Sequence, residues 1–319
     1  MLQFLVKRFI GFLFVLLGVS FITFIMGYFA PGDPIRTLLG SHFSPILYAQ
    51  LKHEYGLDLP WYQQYWNYIT HLARFDFGLS FKEQDRPVWD ILKDGVPTTL
   101  ELGLWALALQ IVIGVPIGIF SAVKANTWID TANMGAMLVL FAIPSFVLAV
   151  YVQIIIVWLD TKTGLGWPVA GWGNTWQYTW PDIQAKLLPI LVLVAAGLAY
   201  FARISRTSML EVLRQDFVRT ARAKGMREGV VIYRHALRNA MISLVTVFGF
   251  SLGLIVTSTF FVEAIFNVPG IAQVTITSIT DRDYPVIQAT VILLATTVVL
   301  GNLISDMLYA VVDPRIKIS

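Results

Sequence analysis

The sequence predicts an all-α membrane protein with about six transmembrane helices. Its 319 residues are 56% hydrophobic and only 13% charged, and the mean hydropathy is +0.68. A soluble domain carries about 25% charged residues. Several uncharged apolar stretches are long enough to cross a hydrocarbon layer about 30 Å thick. One long polar segment follows the first of them, and we expect it to be a structured extracytoplasmic segment.

The first apolar stretch, residues 9–30, follows Lys7 and Arg8. A basic segment before an apolar run is also how a secretory signal peptide begins. This run is longer than the apolar core of a signal peptide, and Tyr28 stands where a cleavage site needs a small residue. We therefore expect an uncleaved first transmembrane helix.

Five further stretches have the length and composition of transmembrane helices. They are residues 99–123, 131–159, 187–202, 242–262 and 285–311. The stretch at 187–202 is short and needs its flanks to fill the membrane thickness. Pro116 and Pro144 lie inside predicted spans and are expected to kink them.

The basic residues predict the orientation, because cytoplasmic loops are enriched in Lys and Arg. Six spans place the N-terminus, residues 124–130, residues 203–241 and the C-terminal tail on one side. These segments hold 14 of the 23 Lys and Arg. We therefore expect both termini to be cytoplasmic. The same bias explains the net charge of +3 without a nucleic-acid partner.

The chain divides on this basis into three parts. Residues 1–97 hold the first helix and an extracytoplasmic cap segment. Residues 98–311 form the transmembrane core and contain the cytoplasmic loop 203–241, and residues 312–319 form a cytoplasmic tail. The cap segment either rests on the helices alone or also shapes a docking surface for an external partner.

Two of the three predicted external segments carry signals of local structure. In the cap segment, Pro31-Gly32-Asp33-Pro34 predicts a turn, and apolar residues recur at helical spacing around 46–55 and 61–74. Tryptophan favours the membrane interface, so the tryptophans of the loop 160–186 form either an interfacial belt or an aromatic surface that faces substrate. These tryptophans are Trp167, Trp172, Trp176 and Trp180.

Small residues predict close helix contacts, since they let two backbones approach. Gly114 and Gly118 form one Gly-x-x-x-Gly pair. The fifth predicted helix has a face of small and hydroxyl-bearing residues, which is either a helix–helix seam or the wall of a polar pathway. Both interpretations are compatible if the two helices separate during transport. The residues of this face are Thr246, Gly249, Gly253 and Thr257.

The sequence lacks the residues and motifs that several functional classes require. The chain has no cysteine, which excludes disulfides and thiolate metal sites. An ion or proton relay needs ionisable residues inside the membrane, but Glu101 and Asp306 lie near predicted helix ends and all four histidines lie outside the predicted spans. The phosphate-binding motif Gly-x-x-x-x-Gly-Lys-Ser/Thr is absent. We expect no enzymatic activity and no cofactor bound by this chain.

The longest predicted cytoplasmic segment, residues 203–241, carries nine cations and three acids. Apolar spacing predicts a helix over 206–223, and Gly225 is placed to end it in the left-handed conformation. A second helix is predicted over about 228–240. From these residues alone, two interpretations stand equal: a basic loop on anionic headgroups, or a lever that docks a partner.

This loop resembles the cytoplasmic loop of the membrane subunits of bacterial ATP-binding-cassette (ABC) importers. Their general pattern is Glu-Ala-Ala, three residues, Gly, nine residues, Ile-x-Leu-Pro. Here it becomes Arg219-Thr220-Ala221, Gly225 and His235-Ala236-Leu237-Arg238 with the same spacing. The departures at the Glu, Ile and Pro positions are those of the dipeptide, oligopeptide and nickel branch.

The resemblance covers the whole chain. One small departure is Phe75, where that branch more often has Gly. The similar motifs are Pro31-Gly-Asp-Pro34, Tyr55-Gly-Leu-Asp-Leu-Pro60, Asp76-Phe-Gly78, Pro97-Thr-Thr-Leu-Glu-Leu102 and Tyr309-Ala-Val-Val-Asp-Pro-Arg315.

The resemblance implies a type I ABC importer permease fold in the bacterial inner membrane. It also implies a second homologous permease, two ATPase subunits that hold ATP and magnesium, and an extracytoplasmic substrate-binding protein. The pathway would lie between the two permeases, lined by the fifth span. The residues implied in coupling to the ATPase are Gln215, Asp216, Phe217, Arg219, Thr220, Ala221, Lys224, Gly225 and Met226.

Among the substrates of such importers, di- or oligopeptides are the first expectation. Nickel, glutathione or another small solute is the alternative, since specificity rests largely with the binding protein. Outside this class, a stand-alone secondary transporter is the runner-up, although the sequence shows neither intramembrane charge nor an inverted repeat. A structural scaffold is the third hypothesis.

Overall fold

The structure is a computed structural model that describes residues 2–30, 32–39, 43–83 and 86–312. Pro31 of the predicted turn, His42 and residues 313–319 of the predicted tail lie outside the described residues. The helices are α1 (Leu2–Tyr28), α2 (Pro34–Leu39), α3 (Pro45–Glu54), α4 (Trp61–Leu72), α5 (Val88–Val123), α6 (Trp128–Ala142), α7 (Ser145–Thr163), α8 (Trp180–Leu213), α9 (Asp216–Ala223), α10 (Glu228–Val230), a π-helical segment (Val231–Ala236), α11 (Leu237–Gly253), α12 (Ile255–Phe266), α13 (Ile271–Asp281) and α14 (Tyr284–Val312).

Within the described residues, six helices are long and apolar enough to cross a membrane, as predicted. A bent pair, α12 and α13, meets at an angle of 72° and gives a seventh if it is counted as one broken span. The six are Arg8–Tyr28, Val88–Val123, Ser145–Thr163, Trp180–Leu213, Glu228–Gly253 and Tyr284–Leu308.

The predicted span 131–159 is wrong in one respect, because a break and not a kink divides it into α6 and α7. Ile143 has an extended backbone (φ −89°, ψ 117°) and Pro144 precedes the first residue of α7. Proline has no N–H to donate and disfavours the helical conformation in the residue before it. The other predicted kink site, Pro116, lies within the continuous helix α5.

The predicted short span 187–202 is the middle of a 34-residue helix, α8. α8 begins at Trp180 because Thr179 and Asp182 form a capping box. The Thr179 hydroxyl donates to Asp182 Oδ2 at 2.5 Å, and the Thr179 N–H donates to the same oxygen at 3.2 Å. Pro181 also occupies the first turn, where a missing N–H costs nothing.

The predicted span 242–262 is interrupted at Leu254, whose backbone (φ −89°, ψ 0°) ends α11 before α12 begins. Thr257 therefore lies on a different helix from Thr246, Gly249 and Gly253. The prediction that these four residues share one continuous helix is wrong.

The described residues of 1–99 and 269–297 form one compact unit. Asp283 organises its polar loops, accepting from Ser80 Oγ at 2.5 Å and from the Phe81 N–H at 3.1 Å. The Ile271 N–H, in the first turn of α13, donates to Thr99 Oγ1 at 2.9 Å. These contacts join parts of the first unit that are distant from each other in the sequence.

The cap helices α3 and α4 match the helical spacing that the sequence predicts for this segment. α4 packs on α1, where the Tyr65 ring centroid lies 5.3 Å from that of Phe24. The hydroxyls of Tyr65 and Ser20 are 3.2 Å apart. Asp33 caps α2, since its Oδ1 accepts from the Ile35 N–H at 3.0 Å.

The residues 100–268, with the described residues from 298 onward, form a second compact unit. α8 is its central helix and contacts α6, α7, α11 and α12. The main apolar cluster joins residues of α5, α7, α8 and α12, and includes Leu102, Ala149, Leu188, Val192, Val262 and Phe266. The sequence-based division at residue 97, between the first helix with its cap segment and the transmembrane core, stays a prediction.

Candidate functional site

The predicted docking loop contains a short helix, α9, that is separate from α8. The single helix predicted over 206–223 is wrong, because α8 ends at Leu213 and Gln215 has an extended backbone (φ −77°, ψ 153°). Gln215 is the N-cap of α9, which comprises Asp216–Ala223. The chain therefore changes direction both before and after α9.

Gly225 makes the turn after α9 with a left-handed backbone (φ +74°), as the sequence predicts. Among the described residues, no heavy atom lies within 4 Å of where a Cβ at 225 would stand. Glycine is therefore required here by the backbone conformation and not by close packing. Across the turn, Arg222 forms two hydrogen bonds to Glu228, at 2.6 and 3.2 Å.

One face of α9 is buried against its own chain. Val218 is fully buried and Ala221 is 6% exposed. They join an apolar cluster from the ends of α5 and α8 and from the π-helical segment. This cluster comprises Ile119, Ala122, Met209, Val212, Val218, Ala221, Val231, Ile232, Ala236 and Ala240.

The opposite face of α9 and the following turn are exposed. The opposite face carries Asp216, Arg219 and Thr220. Phe217, at the edge of the buried face, is 37% exposed, and Met226 in the turn is 38% exposed, so two large apolar side chains are partly accessible beside this polar face. Of the nine residues implied in coupling, Ala221 lies in the buried cluster. The other eight are exposed: Gln215, Asp216, Phe217, Arg219, Thr220, Lys224, Gly225 and Met226.

The second helix of the loop contains a π-helical segment, Val231–Ala236, between α10 and α11. Segments of this kind are rare and frequently occur at functional sites. His235 lies in this segment, within the candidate span Glu228–Gly253. The helix of this candidate span thus begins before residue 242, and whether His235 lies inside the membrane stays a prediction.

The glycines of the fifth predicted span lie in a helix–helix contact. Gly249 packs on Ser305, and Gly253 packs on Val298 and Gly301, all of α14. These two positions therefore have the geometry of a seam. Whether the seam opens to line a pathway stays a prediction.

The two threonines of the same predicted face are placed differently. Thr246 is half-buried beside the seam, and its carbonyl accepts from Ser305 Oγ at 3.4 Å. Thr257 is exposed on α12. The first glycine pair forms its own seam, since Gly114 and Gly118 of α5 pack on α8.

A buried ion pair that no sequence pattern predicts lies in the second unit. Lys186 Nζ is 2.7 Å from Glu101 Oε1, and the two side chains are 3% and 0% exposed. The prediction that Glu101 lies near a helix end is wrong, because α5 begins at Val88. Lys186 was assigned to a loop but lies inside α8. The capping pattern Thr179-x-x-Asp182 was the sequence signal that could have placed it there.

The tryptophan loop closes over this pair. Trp172 Nε1 and the Trp176 N–H both donate to Glu101 Oε2, at 3.0 and 2.9 Å. Trp172 is 1% exposed, so it belongs to neither a membrane belt nor an open surface. Trp176 and Trp180 are exposed, and for them the two interpretations remain.

The family comparisons cover nearly the whole chain. Residues 114–318 match the family described as "Binding-protein-dependent transport system inner membrane component". Residues 1–103 match "Binding-prot-dependent transport system membrane comp, N-term".

Curated relatives align over their full length. The chain is 38% identical to the dipeptide transport system permease protein DppB of Alkalihalophilus pseudofirmus, over 99% of this chain and 100% of that protein. It is 36% identical to DppB of Escherichia coli, and 36% identical to the glutathione transport system permease protein GsiC of Salmonella typhimurium. Each of these two alignments covers 99% of both chains.

Solved structures agree on the fold. A chain of the MetNI methionine ABC transporter in an inward-facing conformation matches with a TM-score of 0.59 at 19% identity, over 72% of this chain and 100% of that one. An amino acid ABC transporter matches with a TM-score of 0.50 at 17% identity, over 72% and 95%. This chain belongs to the inner-membrane component family of binding-protein-dependent transport systems, as an ABC importer permease subunit of the dipeptide branch.

Proposed function

We propose that this permease forms half of the pathway of an ATP-driven importer for short peptides, and that α9 with the Gly225 turn docks on separate ATPase subunits. The observation that carries the coupling proposal is the two-faced burial of α9. Val218 and Ala221 fix one face to the membrane helices, while the opposite face, with Asp216, Arg219 and Thr220, is exposed. Phe217 at the edge of the buried face and Met226 in the following turn are partly exposed as well.

This arrangement suits the transmission of force. A push on the exposed face of α9 reaches the ends of α5 and α8 through tightly packed side chains, which transmit displacement well. The Arg222–Glu228 pair braces the turn at Gly225, so α9 and the helix that follows move together. A flexible loop would absorb the same displacement.

The proposed complex contains a second homologous permease, two ATPase subunits and an extracytoplasmic substrate-binding protein. ATP and magnesium bind to the ATPase subunits, and this chain has a non-catalytic role. We propose that both termini and α9 face the cytoplasm, which is the side that the positive-inside bias favours.

The names of the relatives support a peptide substrate. They transport dipeptides or glutathione, and glutathione is itself a tripeptide. Nickel or another small solute is the alternative within the same importer class, and a substrate screen with the intact complex distinguishes them.

The test is co-purification followed by transport. A tagged form of this chain is expected to bring down a second permease and two ATPase subunits, and the reconstituted complex with its binding protein is expected to accumulate dipeptides only when ATP is supplied. The chain purified alone is expected to bind no ATP. Uphill uptake by vesicles that contain this chain alone would overturn the proposal in favour of a secondary transporter.

A further inference from the structure

A cavity of about 690 Å³ lies within the first unit, between α1, the cap helices and the beginning of α14. Small-molecule sites have volumes of roughly 300–1,000 Å³ and mostly apolar walls with a few polar groups. The cavity has this character, because aromatic rings from all of these elements line it. They include Phe24, Tyr28, Tyr48, Tyr68, Phe77 and Tyr284.

One cation in the cavity wall has no anionic partner. Lys52 is half-buried, and its Nζ lies 6.0 Å from the centroid of the Tyr48 ring. Within the part of the chain that the structure describes, no carboxylate lies within ion-pair distance of Lys52. Of the three acids in the wall, Asp33 accepts from the Tyr48 hydroxyl at 2.6 Å, Asp76 pairs with His71 Nδ1 at 2.7 Å, and Glu54 is exposed. Asp58, outside the wall, interacts with Lys52 electrostatically without a close contact.

Two neutral polar groups of the wall also lack hydrogen-bond partners among the described residues. The Gln288 amide packs over Gly27, where a Cβ would lie 3.2 Å from Gln288 Nε2. The Tyr68 hydroxyl is buried and unpaired, and burial raises its pKa, so it remains a neutral donor. Most buried polar groups have a partner, which makes the Tyr68 hydroxyl a candidate for contact with a ligand. The half-buried Gln288 amide is a second polar group of the same wall that a ligand can reach.

We propose that this cavity binds a short peptide that carries an aromatic or large apolar side chain. The peptide carboxylate would pair with Lys52, the side chain would pack among the aromatic rings, and a peptide amide would bond to Gln288, with Tyr68 as a further donor. A phospholipid acyl chain would fill the space but leave both neutral groups unpaired. The inference rests on the proposed function, since it names the substrate class on the cap side of the permease.

The test is direct binding to the intact complex in lipid nanodiscs, with the substrate-binding protein left out. Calorimetry is expected to show saturable binding of alanyl-phenylalanine and much weaker binding of glycyl-glycine, which lacks the aromatic ring. Lys52→Ala and Gln288→Leu are each expected to weaken binding about tenfold, and Tyr68→Phe severalfold. Matched controls are His53→Ala and Tyr62→Phe, whose side chains are exposed and outside the cavity; they should bind like the wild type.

Thermal unfolding of each variant shows that it is folded before its affinity is compared. The inference would be overturned if the wild type showed no saturable binding, or if all variants bound with equal affinity. So would a phospholipid that stays bound in native mass spectra when peptide is added. ATP-dependent peptide uptake without such binding refutes the cavity alone, whereas binding without any uptake refutes the proposed function.

Discussion

Lys186 donates all of its ammonium hydrogen bonds inside the protein, with Glu101 as its charged partner. Its Nζ lies 2.7 Å from Glu101 Oε1, 2.8 Å from the Asn174 carbonyl and 2.7 Å from the Gln177 carbonyl. α5, α8 and the loop between α7 and α8 thus meet at one buried charge pair. A charge pair in the interior is tolerated when the remaining donors and acceptors are satisfied, as they are here.

Replacing Lys186 by Met is expected to destabilise the chain by about 3–5 kcal/mol, because it leaves the Glu101 carboxylate buried without a counter-ion. The measurement is chemical or thermal unfolding of the purified permease in detergent. Glu101→Gln in addition should recover much of the loss, since a neutral amide oxygen still accepts from Trp172 and Trp176. The exposed Lys162→Met is the control, and an equal effect there would contradict the prediction.

Gly225→Val is expected to uncouple ATP hydrolysis from uptake. A β-branched residue strains the left-handed backbone by about 1–2 kcal/mol, and the chain can relieve that strain by rotating α9 against the following helix. The measurement is the ratio of ATP hydrolysed to dipeptide transported in the reconstituted complex. Gly229→Val, in α10 with open space around it, is the matched control. A normal ratio for the Gly225 variant would count against its role.

Phe217→Ala is expected to weaken the association with the ATPase subunits about 30-fold, the effect of a 2 kcal/mol hot spot at an interface. Because Phe217 is only 37% exposed, its removal should also destabilise the isolated permease by about 1–2 kcal/mol, and unfolding of the variant measures that loss separately. Titration of purified ATPase onto the permease in nanodiscs measures the affinity. The control is Tyr62→Ala on the cap helix α4, which should leave the affinity for the ATPase unchanged. An unchanged affinity for Phe217→Ala would contradict the proposal that α9 docks on the ATPase.

Gly118→Leu is expected to lower the free energy of unfolding of the second unit by about 1–3 kcal/mol. A side chain at this position would collide with the Ala202 carbonyl and with Ser205 of α8. Gly135→Ala on α6 is the control, since no described heavy atom lies near its would-be Cβ. That change should be neutral or stabilising by up to about 1 kcal/mol. The measurement compares the unfolding temperatures of the two variants with that of the wild type. Equal unfolding temperatures for Gly118→Leu and Gly135→Ala would contradict the prediction, because they would mean that α5 and α8 can move apart at no cost.

Local signals in the sequence predicted local structure well. The number of apolar helices, the helices α3 and α4 and the left-handed turn at Gly225 each depend on a few neighbouring residues. The 3.6-residue period and the conformational freedom of glycine act within one or two turns. The resemblance to the family added the nine residues implied in coupling, and eight of them are exposed; their role in coupling stays a prediction.

Contacts between distant residues account for what could not be predicted. Glu101 and Lys186 are 85 positions apart, and no periodicity relates them. The break at Leu254 has no proline or glycine at that residue, and α11 and α12 differ in the helices they pack against. Apolar run length also misplaced the beginning of α8, because the capping residues lie outside the run.

The π-helical segment Val231–Ala236 affects the rotational orientation of the helix that follows it. Such a bulge is equivalent to one residue inserted into an α-helix, and one residue corresponds to a rotation of about 100°. The segment therefore sets the azimuth of α11, and of Gly249 within it, relative to α9. Interconversion between π and α geometry would convert a displacement of α9 into a rotation of α11 about its own axis without breaking the helix.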